Sequence, residues 1–188
     1  MEIKTHETKV FGQKCTIDLM HFDKKDGKTW KKLFDSWRSL KLGLRNFKTR
    51  EPNLPEGLSE VAFCLYSGSY RMIAKKKGKA SSSFDTFNLK TGKAEQIKAS
   101  SIEEDLSSFG PKSKWDDIYF MDFYNNGKLD GTFNVYKIPN RLIRSVKVNK
   151  NQKFKDQQGE KRRPRFSITK DIIKKKHLKP VDTNVKVW

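Results

Sequence analysis

Residues 83–98 read SFDTFNLKTGKAEQIK, and their pattern predicts a β-hairpin. Apolar and polar residues change to a two-residue period over 84–89 and again over 94–100, which is typical of two short strands. Residues 91–93, with a glycine at their centre, favour a turn between them. The two strands are therefore expected to pair with each other.

Three polar side chains of this hairpin are expected to meet. Residues two apart on a strand share a face, so Gln96 and Lys98 point together, whereas Glu95 and Ile97 point the other way. Pairing of the strands can bring Asp85 beside Gln96 and Lys98. A carboxylate, an amide oxygen and an ammonium group would then surround one point.

Such a set suits metal-dependent hydrolysis of phosphodiester bonds. Asp85 and Gln96 offer the hard oxygen ligands that Mg²⁺ prefers. A bound ion would polarise the phosphate and make a water more acidic. Lys98 would orient or deprotonate that water, or offset charge on the phosphate. The residues alone leave a second interpretation open, an ordinary hairpin with a solvated lysine and a turn aspartate.

The remaining pattern predicts an α/β protein with a central mixed β-sheet flanked by helices. Apolar residues at three- and four-residue steps predict helices, and alternation predicts strands. The expected helices are 29–42, 55–73 and a short C-terminal one at 169–177. The expected further strands are 118–124 and 132–138, and 103–108 is left as a short helix or a loop. Residues 75–83 and 147–165 are expected to be exposed basic loops.

Charge points to a polyanionic partner. The 188 residues carry 41 Lys plus Arg against 22 Asp plus Glu, a formal net charge of +19. Residues 141–188 hold 16 basic and 4 acidic residues, whereas 101–140 hold 4 basic and 7 acidic residues. A strong positive field favours nucleic acid as the partner. The acidic centre is interpreted as a first sign of a metal site, because a purely polymer-binding surface has no use for it.

Composition excludes several other classes of protein. No apolar run is long enough for a transmembrane span, and the N-terminus lacks the apolar region of a secretory signal. We therefore expect a cytoplasmic protein with no membrane partner. Only two cysteines and three histidines are present, which excludes a zinc finger or a disulfide scaffold.

The segment around the hairpin resembles the PD-(D/E)XK nuclease superfamily, specifically its small type II restriction endonucleases. Phe84-Asp85 stands for that family's Pro-Asp, and Gln96-Ile97-Lys98 for its Asp/Glu-x-Lys. Further similarity to small restriction enzymes lies at the predicted helix start, in the loop after the lysine strand and in a basic segment near the C-terminus. These three stretches are LPEGLSE at 54–60, SSFGPKSKWD at 107–116 and RRPRFSI at 162–168.

The resemblance covers roughly residues 50–180, and it implies a fold and an activity. A single nuclease domain over 1–188 would hydrolyse double-stranded DNA at a short palindromic site, as a homodimer in the bacterial cytoplasm, beside a companion DNA methyltransferase. Similarity to small enzymes that read GCNGC suggests an interrupted palindrome. Mg²⁺ would be the cofactor, and Asp85, Gln96 and Ile97 would be the metal-binding positions.

This chain departs from the family at Gln96, where most members have an acid. A neutral amide binds Mg²⁺ less well than a carboxylate, which puts a second metal ion in doubt. Glu60 could supply the missing charge if its helix packs over the sheet, as a helical glutamate does in some relatives. The alternative for Glu60 is a solvated acid near a helix start, favoured by the helix dipole.

Sequence-specific binding needs side chains that read base edges as well as phosphates. The segment at about 141–168 mixes Arg, Asn and Gln, which can pair with guanine and adenine. The loop after the lysine strand lies close to the scissile strand in the order of the chain. The expected DNA contacts are therefore Ser108, Lys112, Lys114, Asn149, Asn151, Gln152, Lys153, Gln157, Gln158, Arg162, Arg163 and Arg165.

Two other functions compete with restriction. A non-catalytic RNA-binding or ribosome-associated protein would use exposed aromatic side chains, for which Phe120, Phe123 and Tyr124 are available. A repair or recombination nuclease on the same fold would cut by structure and not by sequence. The recognition sequence, the cleavage stagger and the dimer surface do not follow from the sequence.

Overall fold

The computed structural model describes residues 1–78 and 83–188 of the chain. Its main element is an eight-stranded sheet. The strands are β1 Glu2–Val10, β2 Gln13–His21, β3 Tyr70–Lys77, β4 Thr86–Asn88, β5 Lys93–Ser100, β7 Asp117–Asp122, β8 Phe133–Ile138 and β10 Asp182–Val185, and they lie in the order β1-β2-β3-β4-β5-β7-β8-β10. A separate two-stranded ribbon pairs β6 Ser107–Ser108 with β9 Arg165–Phe166.

The sheet is mixed, because β5 and β7 run parallel while the other neighbouring pairs are antiparallel. Four helices accompany it, namely α1 Asp26–Asn46, α2 Glu56–Ser67, α3 Asn140–Ser145 and α4 Phe154–Gly159, together with a π-helical turn at Thr169–Lys174. This arrangement confirms the predicted α/β class with a central mixed sheet flanked by helices.

The two faces of the sheet bury separate cores. Trp30, Phe34 and Phe63 of α1 and α2 pack against one face, which includes Ile97 and Met121. The other face is covered by the C-terminal helices. Its core consists of Phe109, Ile118, Phe120, Ile138, Ile143, Val146, Phe154, Phe166, Ile168, Ile172 and Ile173. Along β7, Ile118 and Phe120 face one core and Met121 faces the other, as the two-residue period requires.

The predicted helix 55–73 is wrong after residue 67. Helix α2 ends at Ser67, and Gly68 follows with φ +71°. Only glycine adopts this left-handed conformation without a steric penalty, and glycine commonly stops helices there. Residues 70–77 then form β3. Of the basic loop expected at 75–83, residues 79–82 lie outside the described residues, and the preceding part is strand.

The N-terminal hairpin was not predicted at all. Strands β1 and β2 are joined by Phe11 and Gly12, which have φ +50° and +79°. Two successive positive φ values are typical of the turn that matches the twist of a β-hairpin.

The prediction of a loop at 147–165 was also wrong in part, since this segment contains the short helix α4 with Phe154 buried. None of the described helices has the length and apolar content needed to cross a bilayer.

Candidate active site

Asp85 is held between two strands immediately before β4. Its backbone N–H donates to the Glu95 carbonyl oxygen at 3.0 Å, and its own carbonyl accepts from the Met72 N–H at 2.9 Å. The β4–β5 register continues from the Thr86–Glu95 pair. The predicted hairpin is therefore confirmed, and it fixes Asp85 next to the QIK segment.

The Asp85 carboxylate contacts both residues that follow Glu95. Asp85 Oδ2 accepts a hydrogen bond from the Ile97 N–H at 2.8 Å and another from the Gln96 amide nitrogen. Burial raises the pKa of Asp85 to about 7, although the positive charge of Lys98 opposes the rise. A buried carboxylate of this kind is stabilised in its ionised form by a nearby cation.

Gln96 and Lys98 lie on the same face of β5, as predicted. Gln96 is buried, and Lys98 Nζ lies 5.4 Å from the centre of the Phe109 ring. Glu95 is directed away from them and accepts a hydrogen bond from Thr86 Oγ1 at 2.8 Å. The site face of β5 therefore carries one amide and one ammonium group.

Glu60 lies in the same electrostatic environment. Its side chain is 13% exposed, and its Oε2 accepts from Arg71 Nε at 2.5 Å. Burial raises the pKa of Glu60, whereas the charges of Arg71 and Lys98 lower it. In turn, the charge of Glu60 raises the pKa of Asp85. Glu60 is thus a largely buried, paired acid in the second turn of α2, and not a solvated one.

Sequence reasoning missed Arg71. The residue lies on β3 and pairs in the sheet with Thr86, next to Asp85. The predicted helix 55–73 placed it on the wrong element. The signal that could have revealed it is Gly68, because a helix that stops there leaves 70–77 free to form a strand.

The donor set fits a hard divalent cation. Asp85 supplies a carboxylate and Gln96 an amide oxygen, which side-chain rotation exchanges with its nitrogen. Backbone groups of residues two apart on a strand point to the same side, so the Ile97 carbonyl is expected on the side of the Glu95 carbonyl, which accepts from the Asp85 N–H. Oxygen donors of these kinds suit Mg²⁺. The described residues contain no cluster of three or more His, Cys, Asp or Glu that could hold a metal.

The predicted acidic centre at 101–140 has another explanation. Asp117 forms ion pairs with Lys93 and Lys137, and Glu103 and Glu104 both pair with Lys174. Turns and loops use the others as hydrogen-bond acceptors, namely Asp105, Asp116, Asp122 and Asp130. The interpretation of this segment as the sign of a metal site was therefore wrong.

The loop that follows β5 lies against the site. Phe109, below Lys98, stacks on Phe166 with ring centres 5.4 Å apart, and its N–H donates to the Pro164 carbonyl. Ser108 pairs with Arg165 in the two-stranded ribbon. The two segments expected to contact DNA are therefore joined directly beside Lys98.

Lys112 and Lys114 are both exposed at the hairpin end of the site. Ser83 Oγ donates a hydrogen bond to the Lys112 carbonyl and accepts one from the Lys114 N–H, each at 3.2 Å. Lys114 Nζ lies 4.5 Å from the centre of the Phe11 ring. The loop thus presents two cations beside Ser83, which lies two residues before Asp85 in the chain.

Most of the predicted amide side chains hold their own segment together. Asn149 Oδ1 accepts the N–H groups of Asn151 and Gln152, and Gln152 Oε1 accepts from the Gln157 amide at 3.2 Å. Gln157 is 5% exposed. Gln158 donates to the Ser113 carbonyl at 3.2 Å. These amides order the loop, whereas Asn151 and Lys153 present exposed side chains.

The three arginines of the basic segment differ in their surroundings. Arg162 Nη1 donates to Gln152 Oε1 at 3.2 Å and pairs with Glu160 at 3.5 Å. Arg163 and Arg165 are exposed. Within the described part of the chain, neither of their guanidinium groups has a hydrogen-bond or ion-pair partner. Both are therefore available to an external anion.

An open groove of about 500 Å³ continues the basic surface past the loop. Its lining carries the cations Lys112, Lys114, Arg144 and Lys155, and no acid. Arg144 on α3 and Lys155 on α4 were not singled out from the sequence, although both lie in the basic segment at 141–168. Gln158 also lines this groove and donates to the Gly110 and Ser113 carbonyls of the loop after β5.

Known proteins resemble this chain over most of its length. A family profile described as Bsp6I restriction endonuclease matches residues 22–175. The type II restriction enzyme Bsp6I of Bacillus sp. (strain RFL6) is 30% identical over 167 residues, which cover 87% of this chain and 90% of that enzyme. No solved structure matches significantly. The span of the profile includes α2, the Asp85–Lys98 hairpin and the basic segment.

Proposed function

Because the chain belongs to the Bsp6I restriction endonuclease family and is a type II restriction endonuclease, a site-specific hydrolase that binds DNA, we propose that Asp85, Gln96 and Lys98 form its catalytic centre. The observation that carries this assignment is the contact of Asp85 Oδ2 with both Gln96 and the Ile97 N–H, on the face of β5 that presents Lys98.

Type II restriction endonucleases generally use a divalent metal, and the ion proposed here is Mg²⁺. Asp85, the Gln96 amide oxygen and the Ile97 carbonyl would hold it. When bound, the ion supplies polarisation of the phosphate and a more acidic water. Burial raises the pKa of the Asp85 carboxyl group to about 7. The group would give up its proton on binding such a cation, because a metal ligand must be deprotonated.

As an ammonium group, Lys98 orients the attacking water, and its charge offsets the charge that develops on the phosphate. The alternative role, taking the water's proton, would require Lys98 to be a neutral amine. The Phe109 ring below Lys98 restricts where the ammonium group can go. Glu60, held by Arg71, adds a second carboxylate close enough to act on the same charges. Glu60 thereby supplies part of the negative charge that Gln96, a neutral amide, lacks.

The substrate is proposed to be double-stranded DNA with a short palindromic site, cut by a homodimer of single-domain subunits that span 1–188. A companion DNA methyltransferase in a bacterial cytoplasm would protect the host. Arg163 and Arg165 are the favoured base-reading residues, since their guanidinium groups lack partners in the described chain. Lys112, Lys114, Asn151 and Lys153 are assigned to phosphate or base edges, and Ser108 to the backbone of the scissile strand.

Plasmid cleavage with defined ions tests the catalytic proposal. Mg²⁺ or Mn²⁺ should give discrete fragments, and Ca²⁺ should support DNA binding without cutting, because it takes oxygen ligands at longer distances. Run-off sequencing of the fragments gives the site and the stagger. Full activity in excess chelator would contradict the metal proposal, and smeared products would favour structure-dependent cutting.

The non-catalytic RNA-binding alternative is not favoured. It needs exposed aromatic side chains on a sheet face, but Phe120 and Phe123 are buried in the two cores. A chelator-sensitive loss of supercoiled plasmid separates the two functions directly.

A further inference from the structure

Helix α1 and the residue that caps its C-terminal end carry an apolar stripe that their own chain leaves exposed. Leu33 is 55% exposed, Leu40 58% and Phe47 79%. The three residues are seven positions apart, so they fall on one line along the helix, as the knobs of a coiled coil do. Large apolar side chains that stand together on a surface mark an interaction site.

A second stripe of small residues runs beside the first. Thr29, Ser36 and Gly43 each precede one of the large residues by four positions. A side chain added at Gly43 would meet no atom within 4 Å, so packing within the chain does not require glycine there. Glycine inside a helix is destabilising relative to alanine. Its presence is explained if another backbone approaches this line closely.

We propose that α1 packs antiparallel against α1 of a second copy of the chain. This inference rests on the homodimer of the proposed function and adds its contact surface. In one register, Leu33 lies opposite the partner's Gly43, Leu40 opposite the partner's Ser36, and Phe47 opposite the partner's Thr29. A two-fold axis then generates every contact twice, as an isologous interface requires.

The same register gives Phe47 a place to bind. Thr29 and Leu33 border an apolar cleft of about 270 Å³, which is also lined by Met1, Met20, Leu58 and Val61. Phe47 of one copy would end opposite the partner's Thr29, at the mouth of this cleft. The highly exposed aromatic residue that caps α1 is thereby paired with an apolar cavity that its own copy does not fill.

Shape distinguishes the antiparallel arrangement from the parallel one. A parallel pair would set Phe47 against the partner's Phe47, where the rings would crowd each other. It would also set Gly43 against the partner's Gly43, where a gap would remain. Arg38 lies on the far side of the helix and stays in solvent.

Disulfide trapping tests this register. Disulfides need Cα atoms less than about 7 Å apart. Chains with both Leu33→Cys and Gly43→Cys should form a covalent dimer on mild oxidation. Either substitution alone should not, because equivalent residues would lie about 15 Å apart along the axis. The native Cys15 and Cys64 are buried and give little background. A covalent dimer from Leu33→Cys alone, or none from the double variant, would overturn the proposal.

Sedimentation over a range of concentrations provides the second measurement, in the absence of DNA. Wild type should be a dimer, and Leu40→Glu should weaken association at least tenfold. Arg38→Glu, a matched control on the far side of α1, should remain dimeric. A wild-type monomer with and without DNA would refute the homodimer itself. A dimer that survives Leu40→Glu would refute only the α1 surface, and plasmid cleavage assays the catalytic centre independently.

Discussion

Arg71 Nε donates to Glu60 Oε2 at 2.5 Å, and this ion pair joins α2 to the sheet beside Asp85. Burial raises the pKa of Glu60 and the pair opposes that rise, near a carboxyl group whose own pKa is raised to about 7 by burial. An acid on a helix and an acid on a strand are thus balanced by two cations, Arg71 and Lys98.

Arg71→Ala should shift the pH dependence of cleavage. Without the guanidinium, burial dominates and the pKa of Glu60 rises further. The rising limb of kcat/KM should therefore move to higher pH, with Arg71→Lys restoring it in part. A purely structural role for Arg71 would lower activity equally at every pH, and that result would contradict the prediction.

Lys98→Ala should reduce cleavage by about 10²–10⁴-fold, the range expected for a positioned proton-transfer group. DNA binding should remain nearly intact, because the lysine acts on the water and the transition state. Lys90→Ala, in the turn of the same hairpin, is the matched control. Cleavage at a near wild-type rate by the Lys98 variant would remove Lys98 from the site.

Asp85→Asn should abolish cleavage and change stability in a pH-dependent way. The folded pKa of Asp85, about 7, lies above its ordinary value of 3.8. The folded state therefore holds the proton more tightly, and wild-type stability falls as pH rises from about 4 to 7. In chelator, the Asn variant should raise the Tm at pH 8 and have little effect at pH 4.

The same Asp85→Asn variant should show no rise in Tm with Mg²⁺. Thermal melts with and without the ion measure this directly. An unchanged Mg²⁺ response would place the metal elsewhere, whatever the effect on cleavage.

Gln96→Glu should exchange stability for metal affinity. The amide now donates to Asp85, and a carboxylate there would repel it. In chelator at pH 8 the variant should melt below wild type, whereas its Mg²⁺-induced rise in Tm should be larger. Each tenfold gain in affinity adds about 1.4 kcal/mol at saturating Mg²⁺. A smaller Mg²⁺ response than wild type would exclude Gln96 as a ligand.

Arg165→Ala should change specificity, and Gln157→Ala should change stability. A lost base contact costs about 1–3 kcal/mol and relaxes discrimination at one position. Gln157 is buried and donates to Gln152, so its loss should destabilise the fold by roughly 1 kcal/mol. Binding to a panel of single-base variants of the DNA site distinguishes the Arg165 variant from the Gln157 variant. Equal weakening on all sequences by Arg165→Ala would make that arginine a phosphate contact.

The local parts of the fold were predictable from periodicity. Helix α1, the β4–β5 hairpin and the β7–β8 pair all lie where the patterns placed them. The proximity of Asp85, Gln96 and Lys98 was also predictable, because a short hairpin brings residues about ten apart side by side and a two-residue period sets their face. Such relationships depend only on neighbours along the chain.

The resemblance of short motifs added the family, but not the surroundings of the site. Residues 149–165 read as a base-reading loop because amides can pair with bases. In the structure Asn149, Gln152, Gln157 and Gln158 bond to their own segment or to the loop after β5. Composition cannot tell a side chain that meets DNA from one that orders a loop, since both uses need the same donors and acceptors.

The amino-acid sequence by itself determined the hairpin that carries Asp85, Gln96 and Lys98, and the net charge of +19. Only the tertiary structure decided that Arg71 holds Glu60, that Phe109 lies under Lys98, and that β5 and β7 run parallel. Each of these contacts joins separate elements, and its existence depends on how two apolar cores pack on opposite faces of one sheet. Local periodicity carries no information about that packing, because many arrangements of the same helices and strands would satisfy the same pattern.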